Sequence, residues 1–516
     1  MKDLLRKESR TERTQKRMLR FFSFLFLFFL FVSPLSLEAE EDFGFGDSDF
    51  GFGDVSPSSF SIKIGGQVSA EFKAFYNEMD SAENFKNMKL GDIFSGKLSF
   101  DAGGSFAQGI IKFNLSPDFG GTSPISIDEA FARAFFGPVT IEAGLRKLSW
   151  GRADSFGPLD VINPLDYSDL TKISDPQSIK ITRPMIHGIL SLGSFTKLEA
   201  VFVPWSQGHK FATSGRWAPA QVNELRAAIE QTLNSAIDGI SQYPDLLLQD
   251  TEKQEFYYLI NSIGSSLENE IYSGNLYPDT NTLRYAQAGL RLTTSVSSSD
   301  FGFQYYFGSI QRPVITGLNP YAFFTPPPMA KPELTDIHGE ALTPKISYNY
   351  YHQIGVDFAR VIAGFNLRAE AGVNLTKDLD GTDGVVENPA IIWSLGFDRD
   401  VFAGINLNVQ GTGRVRLFHN RLGDDPLTDC EAGTSMSSTR ITGIVSRKFL
   451  REELELRTTA LWGIEDGDFL IIPAVVWSRN DIKAEISAGF FGGNKNGELG
   501  QYRDNSFIKL MMAYSF

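Results

Sequence analysis

The sequence predicts an all-β fold: a transmembrane antiparallel β-barrel of about 18 strands, with long extracellular loops and one helical loop insertion. Three observations carry this prediction. The N-terminus is basic and then apolar, the body alternates polar and apolar residues over long stretches, and tight connections alternate with long ones. Composition allows it. The chain has 516 residues, a formal charge of −14, 13% aromatic residues and 48 Gly. A mean hydropathy of −0.13 is too low for a bundle of membrane helices, but strands that are polar at every second position give such a value. The single Cys430 excludes an internal disulfide framework and any C-x-x-C pair. The acidic balance argues against nucleic acid as a partner, because phosphate recognition needs a basic face.

Residues 1–20 hold eight basic side chains, and residues 21–32 read FFSFLFLFFLFV before Ser33-Pro34. Twelve residues are too few for a spanning helix, which needs about 20. A basic region, a short apolar core and a breaker make a secretory signal peptide, with cleavage expected after Ala39. Residues 1–39 carry eight basic and four acidic groups, so the mature chain would stand at −18. Residues 40–59 form an acidic Gly/Phe tract in which DFGFGD occurs twice, at 42–47 and 49–54. With much Gly and almost no branched aliphatic residue, it reads as a flexible periplasmic tail; a hatch in the barrel mouth is the alternative.

From 60 to 516 the pattern has period two. In 365–376, Phe365, Leu367, Ala369, Ala371, Val373 and Leu375 take one face, and Asn366, Arg368, Glu370, Gly372, Asn374 and Thr376 the other. Such alternation over ten or more residues is a strand signal, at the 9–11 residue length of a tilted membrane crossing. Eighteen such segments can be counted, among them 126–136, 138–149 and 178–192. Tight turns are expected near Gly103-Gly104, Gly137-Pro138, Leu192–Ser194, Ser297–Ser299, Ile362-Ala363, Arg399–Val401, Lys448–Leu450 and Ser478–Asn480. The other connections are mostly long, including 150–177, 205–281 and 311–345, while 463–467 is short against the pattern.

The last segment sets Ile508, Leu510, Met512, Tyr514 and Phe516 on one face, and the sequence ends on Phe516. This resembles the recognition signal of outer-membrane β-barrels, with Tyr514 and Phe516 as the assembly signal. The resemblance implies a diderm (Gram-negative) outer membrane, its lipids, and the barrel-assembly machinery as partners.

The stretch 126–176 contains D-E-A-F-x-x-x-F, then G-L-R-K-x-x-W-G, then N-P. Parity places Ala130, Ala132, Ala134 and Phe136 toward lipid, and Glu129, Phe131, Arg133, Glu142 and Arg146 inward. Trp150-Gly151-Arg152 then opens a loop with five Asp, at 154, 160, 166, 169 and 175. This pattern resembles the third-loop region of porin-like outer-membrane proteins, over about 50 residues. In such proteins the loop often folds into the lumen as a constriction; a plain rim turn set by Trp150 and Asn163-Pro164 is the other reading. Inward positions assigned by parity include basic Lys112, Lys180, Lys197, Arg291, Arg368, Arg414 and Arg416, and acidic Glu199, Asp357, Glu370, Asp398 and Glu453. A dry core would penalise these charges; a water-filled lumen would not. The expected eyelet comprises Glu129, Arg133, Glu142, Arg146, Trp150, Arg152, Asp154, Asp160, Asp166, Arg368, Arg414 and Arg416, with the loop Asp residues facing the field of Arg133, Arg146 and Arg368. A salt-bridged closed plug is the alternative.

In 205–281, Val222, Leu225, Ile229, Leu233 and Ile237 follow helical spacing after Pro219, and Phe256, Leu259, Ile260, Ile263, Leu267 and Ile271 follow Asp250-Thr251. These helices are expected to pair as a cap or a lumen plug. The five His show no H-x-x-x-H spacing, no G-x-S-x-G occurs, and neither a metal nor a cofactor nor catalysis is expected. A lone His here reads as an interfacial or loop residue. The resemblance and the charged lumen together imply a porin-like channel for passive diffusion of small polar or charged solutes. Two rivals stand: a fatty-acid-channel-like transporter of hydrophobic molecules, and a surface adhesin or structural barrel with a closed lumen.

Overall fold

The computed structural model describes residues 60–76, 93–116, 124–273, 276–316, 318–326, 330–425 and 428–516. The expected signal peptide (1–39) and Gly/Phe tail (40–59) lie outside them. Alternation does yield strands: β1 (Ser61–Phe75), β2 (Phe94–Gly103), β3 (Ala107–Leu115), β4 (Ile125–Phe136), β5 (Val139–Arg146), β6 (Arg183–Leu192), β7 (Thr196–Val203), β8 (Gln287–Val296) and β9 (Ser299–Ser309). After a small two-stranded ladder of β10 (Val314–Thr316) and β11 (Lys345–Ser347) come β12 (Tyr350–Ile362), β13 (Phe365–Thr376), β14 (Ala390–Asp400), β15 (Ile405–Arg416) and β16 (Ser437–Phe449). The series ends with β17 (Leu454–Gly463), β18 (Asp468–Arg479), β19 (Ile482–Gly493) and β20 (Phe507–Ser515).

Apart from the β10–β11 ladder, the strands form one 18-stranded antiparallel sheet in sequence order, with β9 passing directly to β12. It closes where β20 pairs with β1, from Gln67↔Ser515 to Phe75↔Phe507. Closure leaves no unpaired edge, which a strand in hydrocarbon requires. Outward positions stay apolar and uncovered: Ile354 is 51% exposed, Leu395 61% and Ile486 58%. A surface of this kind belongs against lipid, and the fold is a transmembrane barrel.

All eight expected tight turns are present, and so is the short connection between β17 and β18 on the long-loop side. Ala363 and Gly364 both have positive φ (52° and 78°), the conformation that matches a two-residue turn to strand twist. Three features depart from the expected pattern. Register shifts between Lys112 and Phe113, which pair with Glu129 and Ile127, so Asp128 is an extra, bulged residue. Ile125 and Ile127 face outward before it, and Ala130, Ala132, Ala134 and Phe136 after it. In addition, β6 begins only at Arg183, so Lys180 is a loop residue and not part of the wall. Glu453, expected on the inner wall, lies in the turn before β17.

The helical insertion is present as α1 (Ala220–Ser241) and α2 (Asp250–Ser273). Pro219 occupies the N-cap of α1, whose Ala220 N–H donates to Gln501 Oε1 at 2.7 Å. Ile229, Ile240, Phe256, Ile260, Leu267 and Ile271 form a core with Leu318, Phe323, Ile337 and Leu342 of the loop after β10. No barrel-strand residue belongs to that core, so the helices consume their apolar faces on each other and on a neighbouring loop.

Candidate functional site: a loop across the lumen

The connection from β5 to β6, residues 147–182, is the loop opened by Trp150. Asn163 ties its two ends together: Oδ1 accepts the Leu148 N–H at 2.7 Å, and Nδ2 donates to Arg146 O at 3.1 Å and Ile181 O at 2.8 Å. The asparagine of the Asn-Pro pair is therefore the loop's clasp. Trp150 is 3% exposed and packs edge-on against Tyr306 at 6.5 Å. Gly151 has φ +94°, and a Cβ there would lie 2.3 Å from Glu370 Oε1. The bare backbone at Gly151 lets the loop come down onto the carboxylate of β13. Glu370 accepts the N–H groups of Arg152, of Ala153 at 2.8 Å and of Leu159 at 3.3 Å.

Three glutamines extend this contact along the same wall. Gln410 Oε1 on β15 accepts the N–H of Asp154 (2.8 Å) and Ser155 (3.1 Å). Gln304 Nε2 on β9 donates to Leu159 O at 2.9 Å, and Gln353 Nε2 on β12 donates to Pro158 O at 3.1 Å. Further on, Asp169 pairs with Lys73 of β1 at 2.6 Å, while Leu170 and Ile173 pack against Leu461, Leu470 and Phe507. From β5 the loop thus reaches β9, β12, β13 and β15 and then β1, β17, β18 and β20, crossing the lumen. It folds inward; it is not a rim turn.

The expected eyelet residues separate into four groups. Arg152 pairs with Asp357 (3.2 Å) and Asp300 (3.3 Å), and Arg368 pairs with Asp154 and, at 2.6 Å, with Asp398. Asp154 also accepts from Asn408 at 2.9 Å; burial pushes its carboxyl up, and Arg368 and Asn408 only partly oppose this. On the wall of β3 to β7, Glu129 pairs with Lys112 at 2.8 Å, and Glu142 gathers Arg133 (2.7 Å), Arg146 and His187 Nδ1 (2.7 Å). His187 Nε2 reaches Glu199 at 3.2 Å. This corrects the assignment of the lone histidines to loops or the interface: His187 is an inward wall residue held between two carboxylates.

Asp160 and Asp166 do not face Arg133 or Arg146. Asp160 pairs with Lys180 at 2.6 Å and Asp166 with Lys210 at 2.9 Å, because the loop's own return and a second loop supply nearer cations. Arg414 and Arg416 stand apart as well. Arg414 meets Glu387 (3.3 Å) and Glu431 (3.4 Å), and Arg416 meets Glu431 at 2.8 Å, with Arg312 on Glu387 at 2.8 Å. These groups tie the loops 377–389 and 417–436 to the wall. Burial alone would push Glu387 up, but Arg312 and Arg414 outweigh it and bring the carboxyl to about 2.

Water reaches the middle of the barrel. Lys112 of β3 keeps 43% of its side chain accessible there, and Asp300, beside the tight turn before β9, keeps 39%. Toward the long loops, by contrast, Leu159, Ile162, Val203 and Tyr306 are all 0% exposed, so loop and wall pack tightly there. At the seam, Phe516 exchanges two hydrogen bonds of 2.9 Å with Gly66, and its outward ring stacks on Tyr514 at 6.4 Å.

No protein-family model and no curated protein matches the sequence. Solved structures do match. OccAB4 of Acinetobacter baumannii is 8% identical, over 90% of this chain and 100% of that one, with a TM-score of 0.44. OccK9 of Pseudomonas aeruginosa is 9% identical, over 89% and 98%, at 0.44. Wzi of Escherichia coli, described as a carbohydrate-binding barrel involved in capsule assembly, is 9% identical, over 87% and 84%, at 0.41. At these identities the likeness is one of fold alone.

Proposed function

We propose that the chain is an outer-membrane channel for passive diffusion of small polar or charged solutes, with its constriction where loop 147–182 crosses the lumen. The observation that carries this reading is the set of partly accessible charges around the crossing: Lys112 and Arg133 on one wall, Asp300, Arg368 and Asp398 on the other, and Arg152 of the loop itself, which pairs with Asp300. A narrow aqueous path with low-dielectric walls focuses the field of such groups, so a few of them outweigh the spread charge of the chain. In this reading the protein is exported through a cleaved signal peptide, and the Phe516 strand end is what the assembly machinery engages. The test is single-channel conductance of the refolded protein in a planar bilayer. Discrete conductance steps are expected; a silent bilayer from folded, heat-modifiable protein would favour the closed-lumen scaffold. That second reading draws on the tight packing around Leu159 and Ile162. The hydrophobic-transporter rival would need a greasy pocket beneath the helices, and their apolar faces are already consumed.

A further inference from the structure

A second constellation lies on the long-loop side of the crossing; it shares loop 147–182 through Tyr167 but none of the charged groups of the constriction. Residues 165–167 pair with 209–210, and His209 N–H in turn donates to Gln311 O at 2.8 Å, so three loops form a layer inside the barrel. Tyr167 and Phe211 stack at 5.5 Å with an 18° interplanar angle, and His209 stands edge-on to Tyr167 at 5.4 Å. Around them come Arg312 from the loop after β9, Arg440 from β16 and Glu498 from the loop after β19. Arg312 and Glu498 keep 47% and 62% of their side chains accessible. Beside the partly exposed rings of Tyr167, His209 and Phe211, these charged side chains stand in reach of water, and we call this solvent-reached group the chamber.

The hydrogen-bonding capacity left open there is specific. His209 Nδ1 accepts the Leu165 N–H at 2.9 Å, so a neutral ring carries its proton on Nε2. Burial, with Arg312 nearby, holds the imidazole down at about 4, which keeps it neutral. Burial likewise pushes the Tyr167 phenol up and keeps it protonated. Neither His209 Nε2–H nor the Tyr167 hydroxyl has a hydrogen-bond partner among the described residues, and neither does Glu498 Oε1, since Arg440 takes Oε2. The open set is one N–H donor, one hydroxyl of either sense and one carboxylate acceptor, beside a stacked aromatic pair; the Nε–H groups of Arg183 and Arg440 also lack a partner but are buried.

Among the accessible groups at this place, charge is balanced. Arg312 faces Glu387, and Arg440 faces Glu498. Arg183, also near His209, is only 1% exposed and donates to Gln207 O and Ser206 Oγ. Arg183 is out of a ligand's reach, so an anionic ligand would have to break an existing ion pair to gain an accessible cation. A neutral ligand with hydroxyls on its rim and C–H groups on its faces would not. We propose that this chamber binds a neutral polyhydroxylated solute, a sugar or short oligosaccharide, with its C–H face on the Tyr167–Phe211 pair and its hydroxyls on His209, Tyr167 and Glu498. As the solute-selecting site of a channel this rests on the reading above; as a binding site it stands without it.

The test uses the mature chain folded in detergent micelles and saturation-transfer NMR with glucose, sucrose, maltotriose and raffinose, against gluconate and citrate as anionic probes. At least one neutral sugar binds saturably and more tightly than either anion. Phe211→Ala and Tyr167→Ala each weaken that binding about tenfold or more, while Tyr167→Phe, which keeps the ring face, costs only about two- to threefold. Heat-modifiability on gels establishes that each variant is folded, and Glu498→Gln replaces any alanine variant that is not. Absence of binding by all four sugars, tighter binding of an anion, or sugar binding indifferent to these substitutions overturns the proposal. Sugar binding that responds as stated in a protein without conductance removes the channel and leaves the chamber; conductance without sugar binding removes the chamber and leaves the channel.

Discussion

The two walls of the lumen hold their charges in different ways. On the wall of β4 to β7, inward groups satisfy one another across neighbouring strands: Arg133, Arg146 and His187 close on Glu142, and His187 links on to Glu199. On the wall of β9 and β12 to β15, the key groups look to the loop: Glu370, Gln304, Gln353 and Gln410 engage its backbone, and Arg368 its Asp154. The first wall meets the loop at its start, where Glu129 accepts the Lys147 N–H at 2.9 Å and Asp128 pairs with Lys147 at 2.7 Å, and the Glu142 cluster closes within the barrel. The second is complete only when loop 147–182 is seated on it. One wall therefore contributes to the stability of the cylinder, and the other to the position of the loop.

The comparison can be broken at four points. Glu142→Ala should have the largest effect, because it strands cations in a site 2% exposed; breaking a buried pair costs about 3–5 kcal/mol. The denaturant midpoint should fall while amide exchange at Ala153 and Leu159 stays unchanged, and faster exchange there would show that the walls are not independent. Next comes acidification. Glu387 has a folded pKa of about 2 against an ordinary 4.5, so its contribution is fully present above 4.5 and lost as pH falls through about 2. The linked stability is about 3 kcal/mol, and Glu387→Gln should abolish that part of the acid sensitivity of loops 377–389 and 417–436, measured by limited proteolysis.

Glu370→Gln should show the opposite signature to Glu142→Ala. The barrel midpoint should hold, while the Arg152 and Ala153 amides exchange about 30-fold faster, from the loss of charge-assisted bonds worth about 2 kcal/mol. A lowered midpoint with protected amides would reverse the roles assigned to the two walls. Smallest is the pair Asp160→Asn and Asp166→Asn. Their partners are Lys180 and Lys210 within the loop layer, so reversal potentials should move by less than the scatter between single channels.

Much of the barrel was legible because period two and turn chemistry are local. The alternation through 365–376 and the positions of Gly137, Ala363 and Asn480 are set by neighbours in sequence, and these elements lie where expected. The Asp128 bulge was not legible, since an extra residue shows itself only against a pairing partner. His187 was missed because the segment 178–192 begins in a loop, which placed Lys180 on the wall in its stead. The partners of Asp160 and Asp166 depend on where chain segments distant in sequence come to rest, and no local pattern encodes that. Glu370 was visible as an inward acid, but its role as the loop's anchor depends on the bare backbone of Gly151 arriving above it.

The central claim is that the crossing loop sets what passes through the lumen, and ion selectivity of single channels tests it most directly. Asp154 is the loop carboxylate that pairs directly with Arg368 of the wall. Removing its charge with Asp154→Asn should leave the channel open and shift the reversal potential in a salt gradient toward anions, with the shift larger at low salt. Arg368→Gln should shift it toward cations. Open channels whose selectivity ignores both substitutions would contradict the account.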